Sequence, residues 1–262
     1  MSSSPVIPNR LLGQHFLVDE NILGVIDRLS DLASADVVLE VGAGLGVLTA
    51  FLADRVSHVH AVEVDRSLEP QLLARLGERA NVALVFADAL SLALDRLEPP
   101  PGKLVANLPY GIGTPLVIAS LDGLPSVARW CVMLQREVAD RLVADPGTKA
   151  YGAVSVLVQL TAEPVGLHPV ARSCFRPQPN VDSALVALAR TRAWGPEYGK
   201  VKRVVNGSFA HRRKTLVNSL ALAGVALRED GLAAVRALGR SDDVRAERLA
   251  PGDFLELASA LP

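Results

Sequence analysis

The amino-acid sequence predicts an α/β chain: a doubly wound, mostly parallel sheet with an antiparallel edge hairpin, then a small all-helical domain. Three observations carry that expectation. Short apolar runs alternate with segments of helical periodicity from Val37 to Ala189. A glycine-rich turn, Gly42-Ala43-Gly44-Leu45-Gly46, joins the first clear strand to the helix behind it. Beyond Ala193 the strand signals stop and only helical spacing remains. Strands separated by helices imply right-handed parallel crossovers.

Asn21 to Ala33 reads as a helix, because Ile22, Val25, Ile26 and Leu29 fall on one stripe. Val37–Val41 is a buried strand and Leu48 to Arg55 its helix. His58–Val64 is a second strand, followed by a helix over Leu68 to Leu76. Val82–Phe86 is the third strand, ending at Asp88, and Leu104–Ala106 the fourth, entered from the turn cluster Pro99-Pro100-Pro101-Gly102. Pro115–Leu121 and Glu137–Val143 read as helices around a strand at Trp130–Leu134. Val154–Thr161 and Asp182–Ala189 are β-rich runs without a long helix between them, which suits the edge hairpin. Lys200–Leu222, Glu229–Leu238 and Asp253–Ala260 read as helices. The expected division is therefore a catalytic domain over 1–192, with an N-terminal arm, and a helical domain over 193–262.

Composition narrows the classes. Half the residues are apolar, enough for a large core, and only 4% are aromatic, so Tyr110 and Phe175 in turn-rich contexts stand out. Two cysteines, Cys131 and Cys174, without any CxxC or His/Cys cluster exclude a disulfide framework and a zinc site, and no metal is expected. Met1-Ser2-Ser3-Ser4-Pro5 lacks the basic and apolar regions of a signal peptide, and the most hydrophobic window is broken by Glu40 and glycines. A soluble, cytoplasmic protein is expected.

The turn after the first strand permits close approach of backbone to ligand at a helix N-terminus. Its G-x-G-x-G spacing places Val47 where the dinucleotide fingerprint has a third glycine, which disfavours a nicotinamide cofactor. Glu63, ending the second strand, can accept both hydroxyls of a ribose, and Asp88, ending the third, can accept from an adenine amino group. Gly42, Gly44, Gly46, Glu63 and Asp88 thus describe a site for a compact adenosine ligand without phosphates, which S-adenosylmethionine fits. Asn107-Leu108-Pro109-Tyr110 adds an uncharged acceptor, a rigid proline and a flat ring where open α/β sheets bind ligands.

Together with these motifs, Gly13-Gln14-His15-Phe16-Leu17, Leu134–Val138, Lys149–Gln159, Phe175–Ala184 and Ser208–Leu216 resemble, in order, the blocks of the 16S rRNA adenine N6,N6-dimethyltransferases. The resemblance spans nearly the whole chain. It implies a Rossmann-like Class I methyltransferase fold, S-adenosylmethionine as methyl donor, and dimethylation of two adjacent adenosines in the 3′-terminal hairpin loop of 16S rRNA. It also implies that Gln14, His15 and Leu17 reach the cofactor from the arm and that Gly42 lines its methionine side. Asn107 would sit between donor and target base, with Asn107 and the Leu108 carbonyl holding the adenine amine. Pro109 would set the turn, Tyr110 would stack on the extruded base, and Phe175 would cover its opposite face. His15 stands where the family usually has Asn, and Gly111-Ile112-Gly113 where it has Asn-Ile-Ser. The small size of Gly111 and Gly113 suggests room for a second methyl, or an easier turn into the next helix.

The net charge of −1 hides a basic stretch. Lys200, Lys202, Arg203, Arg212, Arg213 and Lys214 lie in a segment free of acids, and Arg172 and Arg176 flank Phe175. These are the candidate RNA contacts. The expected partner is 16S rRNA within the 30S subunit or its precursor, bound by a monomer with no membrane involved. The competing readings are a 23S rRNA adenine methyltransferase conferring macrolide resistance, a DNA adenine methyltransferase, and a non-catalytic RNA-binding assembly factor on the same scaffold.

Overall fold

In the computed structural model, which describes Pro8, Asn9 and residues 12–262, β1 (Phe16–Leu17) precedes α1 (Glu20–Ser30), β2 (Val37–Val41), α2 (Val47–Ala53) and β3 (His58–Glu63). The stretch Met1–Pro5 lies outside the described residues. There follow α3 (Glu69–Leu76), β4 (Val82–Phe86), β5 (Lys103–Asn107), α4 (Gly113–Gly123) and β6 (Arg129–Gln135). Then come α5 (Arg136–Leu142), α6 (Ala153–Gln159), β7 (Ala162–Val170), β8 (Phe175–Arg176) and β9 (Ser183–Arg190). The last helices are α7 (Tyr198–Ala210), α8 (Leu216–Leu222), α9 (Arg228–Ala237) and α10 (Pro251–Ala260).

The seven-stranded sheet runs β4-β3-β2-β5-β6-β9-β7. β2, β3, β4, β5 and β6 pair in parallel, and β9 is antiparallel to β6. The chain builds outward from β2 through β3 to β4, then returns to place β5 on the other side of β2. That reversal is the switch point at which open α/β sheets bind ligands. A central parallel strand is covered on both faces and reads as a continuous apolar run. Val38 and Leu39 are accordingly buried, and so, against the pattern, is Glu40. Asp19 caps α1 by accepting from the Asn21 amide, and the helix ends at Asp31 in left-handed backbone.

Two segments depart from the sequence expectation. Val154–Thr161, read there as a strand, is largely the helix α6. The Ser155 hydroxyl accepts from the Gly152 amide and donates to the Arg141 carbonyl, anchoring the first turn. Ser155, Val156, Leu157 and Val158 are buried, so packing overrides the weak helix propensity of valine. The strand lies one segment later, in β7, where Pro164 and Pro169 are tolerated because β7 is at the sheet edge. Lys200–Leu222, read as one helix, is two, broken at His211–Thr215. There Thr215 caps α8, and the Ser219 hydroxyl takes the His211 amide while donating to the Gly207 carbonyl.

By its internal contacts the chain divides into a first unit, running to Ala139 with Pro164–Arg190 added, and a second, Asp140–Glu163 with Thr191–Pro262. In the first, Ile26, Leu52, Leu72, Val105, Met133 and Leu185 share one apolar core. In the second, Phe209 stacks on Phe254 with centroids 5.7 Å apart and meets Tyr151 edge-on at 5.9 Å.

Gly113 opens α4 and is buried, and a Cβ there would fall inside contact distance of Leu134 Cδ2. Its small size serves packing against β6, and it does not line the cavity described below; Gly111, with nothing near its Cβ position, does. Gly113→Ser should therefore lower unfolding free energy by about 1–3 kcal/mol, the usual cost of overpacking, measured by urea denaturation. An unchanged midpoint would contradict the packing role.

Candidate active site

At the switch point the carboxyl ends of β2, β3, β4 and β5 open onto a cavity of about 280 Å³ in the first unit. Gln14, His15, Leu17, Gly42, Gly44, Glu63, Asp88, Asn107, Leu108, Pro109 and Tyr110 all line it. Segments far apart in sequence thus meet around one space.

The Gly loop is shaped by what passes over it. Gly42 adopts φ 82°, and a Cβ on it would lie 3.0 Å from Pro109 Cδ and 3.4 Å from the Asn107 carbonyl. Only glycine combines that backbone with that approach. The Gly44 amide donates to Glu63 Oε2 at 2.8 Å, and the Val64 and Asp65 amides both donate to Oε1 at 2.9 Å. Three backbone donors therefore fix the orientation of a carboxylate that is 5% exposed. Asp88 sits exposed on the rim, its carboxylate taking the Leu90 amide at 2.9 Å.

Asn107 ends β5, and its side-chain nitrogen donates to the His15 carbonyl at 3.1 Å. No described residue donates to its Oδ1. The Leu108 amide is spent on the Met133 carbonyl, and Pro109 turns the chain so that its carbonyl receives the Ile112 and Gly113 amides. Tyr110 is half-buried, with its hydroxyl 2.7 Å from Ser183 Oγ. Burial pushes the phenol above its ordinary value, against the Ser183 hydrogen bond, so the ring is neutral at physiological pH. The His15 ring lies 5.4 Å from the Tyr110 ring, tilted by 35°, and its Nδ1 is 2.7 Å from the Pro177 carbonyl. Gln14 accepts from the Asn9 amide and donates to Asp65 Oδ2 at 2.8 Å.

Two residues expected in the site are placed elsewhere. Phe175 is 1% exposed, paired with Leu17 through β8 and packed in the core, so it presents no face to a base. Its aromatic surface is consumed in the apolar core, where β8 pairs with the arm strand β1 in a separate two-stranded sheet. Gly46 does not line the cavity. It adopts φ 74° at the start of α2, where a Cβ would crowd Leu72 and Arg75, so it serves the packing of α2 against α3.

Glu40 belongs to the glycine-loop block but was given no role by the sequence. It lies beneath the Gly loop, lines the cavity and is 1% exposed. Burial pushes its carboxyl up to about 8; the Thr49 hydroxyl opposes the rise and the Glu63 carboxylate adds to it. Neither Glu40 Oε2 nor Thr49 Oγ1 completes a hydrogen bond in this geometry. The available signal was a lone acid inside an otherwise apolar central strand.

The candidate RNA contacts divide by their partners. In the first unit, Arg172 pairs with Asp182 at 3.5 Å and donates to the Asn180 carbonyl, while Arg176 donates to the Phe175 carbonyl. In the second unit, Lys200 is tied to the Leu261 carbonyl at 2.7 Å and Lys202 lies over the Tyr198 ring. Arg212 donates to the Tyr151 carbonyl at 2.7 Å and to that of Lys149 at 3.3 Å. Lys200 and Arg212 thus hold structure together. Arg203, Arg213 and Lys214 are exposed.

The ribosomal RNA adenine dimethylase family model matches residues 8–261. The chain belongs to this family. It is 46% identical to the ribosomal RNA small subunit methyltransferase A of Rubrobacter xylanophilus, over 95% of this chain and 94% of the relative. It is 42% identical to the protein of the same name from Pelotomaculum thermopropionicum, over 97% and 92%. Among solved structures it resembles a dimethyladenosine transferase from Plasmodium falciparum with TM-score 0.78, covering 93% of this chain and 96% of that one at 24% identity, which bears on fold alone. The 23S rRNA methyltransferase ErmE gives TM-score 0.71 at 28% identity, covering 94% and 99%. Small-subunit relatives are thus the more similar in sequence, and the 23S reading is disfavoured. The fold is the Rossmann-like methyltransferase fold expected of the dimethylase. No helix among its described residues is long and apolar enough to cross a membrane.

The Glu40 environment has a pH signature. Between the ordinary glutamate value of about 4.3 and about 8, the folded dimethylase holds a proton that the unfolded chain has released. Stability from this group falls as pH rises through that window, by at most about 1.4 kcal/mol per pH unit, and levels off above it. Glu40→Gln should become progressively more stable than the parent from about pH 5 to about pH 8. Urea melts of the ligand-free proteins check this, and parallel pH curves would contradict it.

Proposed function

We infer that this chain dimethylates adenine N6 in small-subunit ribosomal RNA with S-adenosylmethionine as methyl donor. The observation that carries the reading is the Asn107 amide, uncharged and turned with its nitrogen toward the arm, in the same cavity as the glycine loop and Glu63. The cavity fits the cofactor on three grounds. Glu63 is a buried carboxylate oriented at a strand end, where a ribose diol is taken. Gly42 leaves open a cradle that a Cβ would fill. Glu40 is a buried acid with an unpartnered oxygen lining the same cavity, a polar group left for a ligand to satisfy. Asp88 would take the adenine amino group, with Gly44 and Leu17 lining the remainder. S-adenosylmethionine, when bound, supplies a methyl on cationic sulfur that a nucleophile can displace.

The chain's own residues prepare the nucleophile. The lone pair of adenine N6 is delocalised into the ring, which makes the amine weakly nucleophilic. Asn107 Oδ1 and the Leu108 carbonyl would each accept one N6 hydrogen, fixing the amine and biasing its lone pair out of the ring plane. This is catalysis by positioning and electrostatics. Neutral acceptors suit a nitrogen gaining positive charge, and that nitrogen then loses its proton to water without a strong base. Tyr110, held at its hydroxyl by Ser183, offers a stacking face worth about 1–3 kcal/mol, which offsets the few kcal/mol of extruding the base.

We propose as the finer target two adjacent adenosines in the 3′-terminal hairpin loop of 16S rRNA, within the 30S subunit or its precursor, methylated by a cytoplasmic monomer. The names of the relatives support the small subunit, and the sequence resemblance implies the two adenosines and the hairpin loop. Exposed Arg203, Arg213 and Lys214 are the phosphate contacts this reading favours in the second unit, with Arg172 and Arg176 in the first.

Incubation with labelled S-adenosylmethionine and undermethylated 30S subunits, followed by nucleoside mass spectrometry, tests the reading. N6,N6-dimethyladenosine should appear in 16S rRNA, and Asn107→Ala should slow its formation by about 10² or more while cofactor affinity holds. Label entering 50S instead would refute the assignment. Replacing Arg213 and Lys214 by Ala should flatten the salt dependence of RNA binding by about one unit of slope each. Arg212→Ala should instead lower the melting temperature, having removed two backbone tethers. Equal effects of all three on the salt slope would undo that division.

A further inference from the structure

We propose that His15 is a positioning residue for methyl transfer, setting both the orientation of the Asn107 amide and the pose of the Tyr110 ring. This rests on the adenine-N6 reading above. It gives the imidazole a role on the acceptor side of the cavity, distinct from the cofactor contact expected of the arm.

A carbonyl oxygen only accepts, so the bond from Asn107 to the His15 carbonyl fixes which end of the amide is nitrogen. Oδ1 is thereby left as the acceptor for the substrate amine. A flipped amide would present N–H groups to an amine that is itself a donor, and the hydrogen bond required by the mechanism would be lost. The position of the His15 carbonyl is thus part of the catalytic geometry, and what holds residue 15 matters.

Gln14 ties the arm to Asp65, and β1 pairs with β8 through Phe16 and Leu17. The His15 side chain adds a tether of its own to residue 15, through Nδ1 to the Pro177 carbonyl at 2.7 Å. Because that carbonyl accepts, Nδ1 carries the proton and the ring orientation follows. The same ring then packs 5.4 Å from Tyr110, whose far end is pinned by Ser183 at 2.7 Å. One imidazole therefore joins the arm, the loop after β8 and the stacking ring. A shorter or aliphatic side chain at position 15 would break two of these three links.

The test compares the parent with His15→Ala, His15→Phe and His15→Asn. Single-turnover methylation of undermethylated 30S subunits gives the rate, and calorimetry with S-adenosylmethionine gives cofactor affinity. His15→Ala should slow transfer roughly tenfold to a hundredfold, the scale of a displaced reacting group, with cofactor Kd changed by less than about threefold, under 0.7 kcal/mol. His15→Phe keeps a ring and His15→Asn keeps a donor, so each should recover part of the rate. The inference is overturned if His15→Ala transfers at the parent rate, if its loss is matched by an equal loss of cofactor affinity, or if neither conservative variant recovers any rate. A parent that makes no N6-methylated adenine would overturn the functional reading itself. An active parent with an indifferent His15→Ala would overturn only the role of His15.

Discussion

The whole site depends on one close crossing, in which the backbone of the glycine loop runs directly beneath the Asn107–Pro109 turn. β2 and β5 lie side by side in parallel, with Val38 opposite Lys103 and Leu39 opposite Leu104. Their carboxyl ends therefore deliver Gly42 and Asn107 to the same place. At Gly42 a Cβ would crowd the Pro109 ring at 3.0 Å, on a backbone with φ 82° that side chains rarely adopt. A larger residue would strain the loop backbone and press on the Pro109 ring, shifting the two sides of the cavity against each other. This contact fixes how closely the glycine loop and the Asn107–Pro109 turn approach across the cavity.

Charge is distributed around that crossing by function. The acids Glu40, Glu63 and Asp88 all come from the β2–β4 side, which under the proposed function would receive the ribose and the cationic end of the cofactor. The groups that would hold the target base are uncharged: an amide, a main-chain carbonyl and a neutral phenol. Under the proposed function, a carboxylate in place of Asn107 would stabilise the cationic donor in the ground state as well as the transition state, lending little to the rate. The cost of the arrangement is borne by Glu40, which is buried without a complete set of partners and therefore kept protonated near neutral pH in the ligand-free protein.

Much of this was legible from residue order. Parallel strands carry long apolar runs, so Val37–Val41, His58–Glu63 and Val82–Phe86 could be placed closely, and the polar residues ending them could be recognised as ligand-facing. Segments whose state depends on neighbours were not legible in the same way. Val154–Thr161 has the composition of a strand and becomes largely helical because Gly152, Ser155 and the Arg141 carbonyl anchor its first turn. Phe175 has the context of an exposed aromatic and is buried because β8 pairs with the arm. Lys200 and Arg212 resemble their basic neighbours in sequence, yet both are engaged by backbone carbonyls.

By itself, then, the sequence determined the fold class, the glycine loop, the acids at the strand ends and the Asn-Leu-Pro-Tyr turn, because each is written in local periodicity or in residues with few substitutes. Tertiary structure alone decided that Gly42 is crowded under Pro109 on a backbone that favours glycine. It likewise decided that Glu40 is an orphaned acid, that Phe175 belongs to the core, and that the Asn107 amide is oriented by the main chain of residue 15. Those properties arise between segments dozens of residues apart. Distance, burial and hydrogen-bond direction between such segments exist only once the chain has folded.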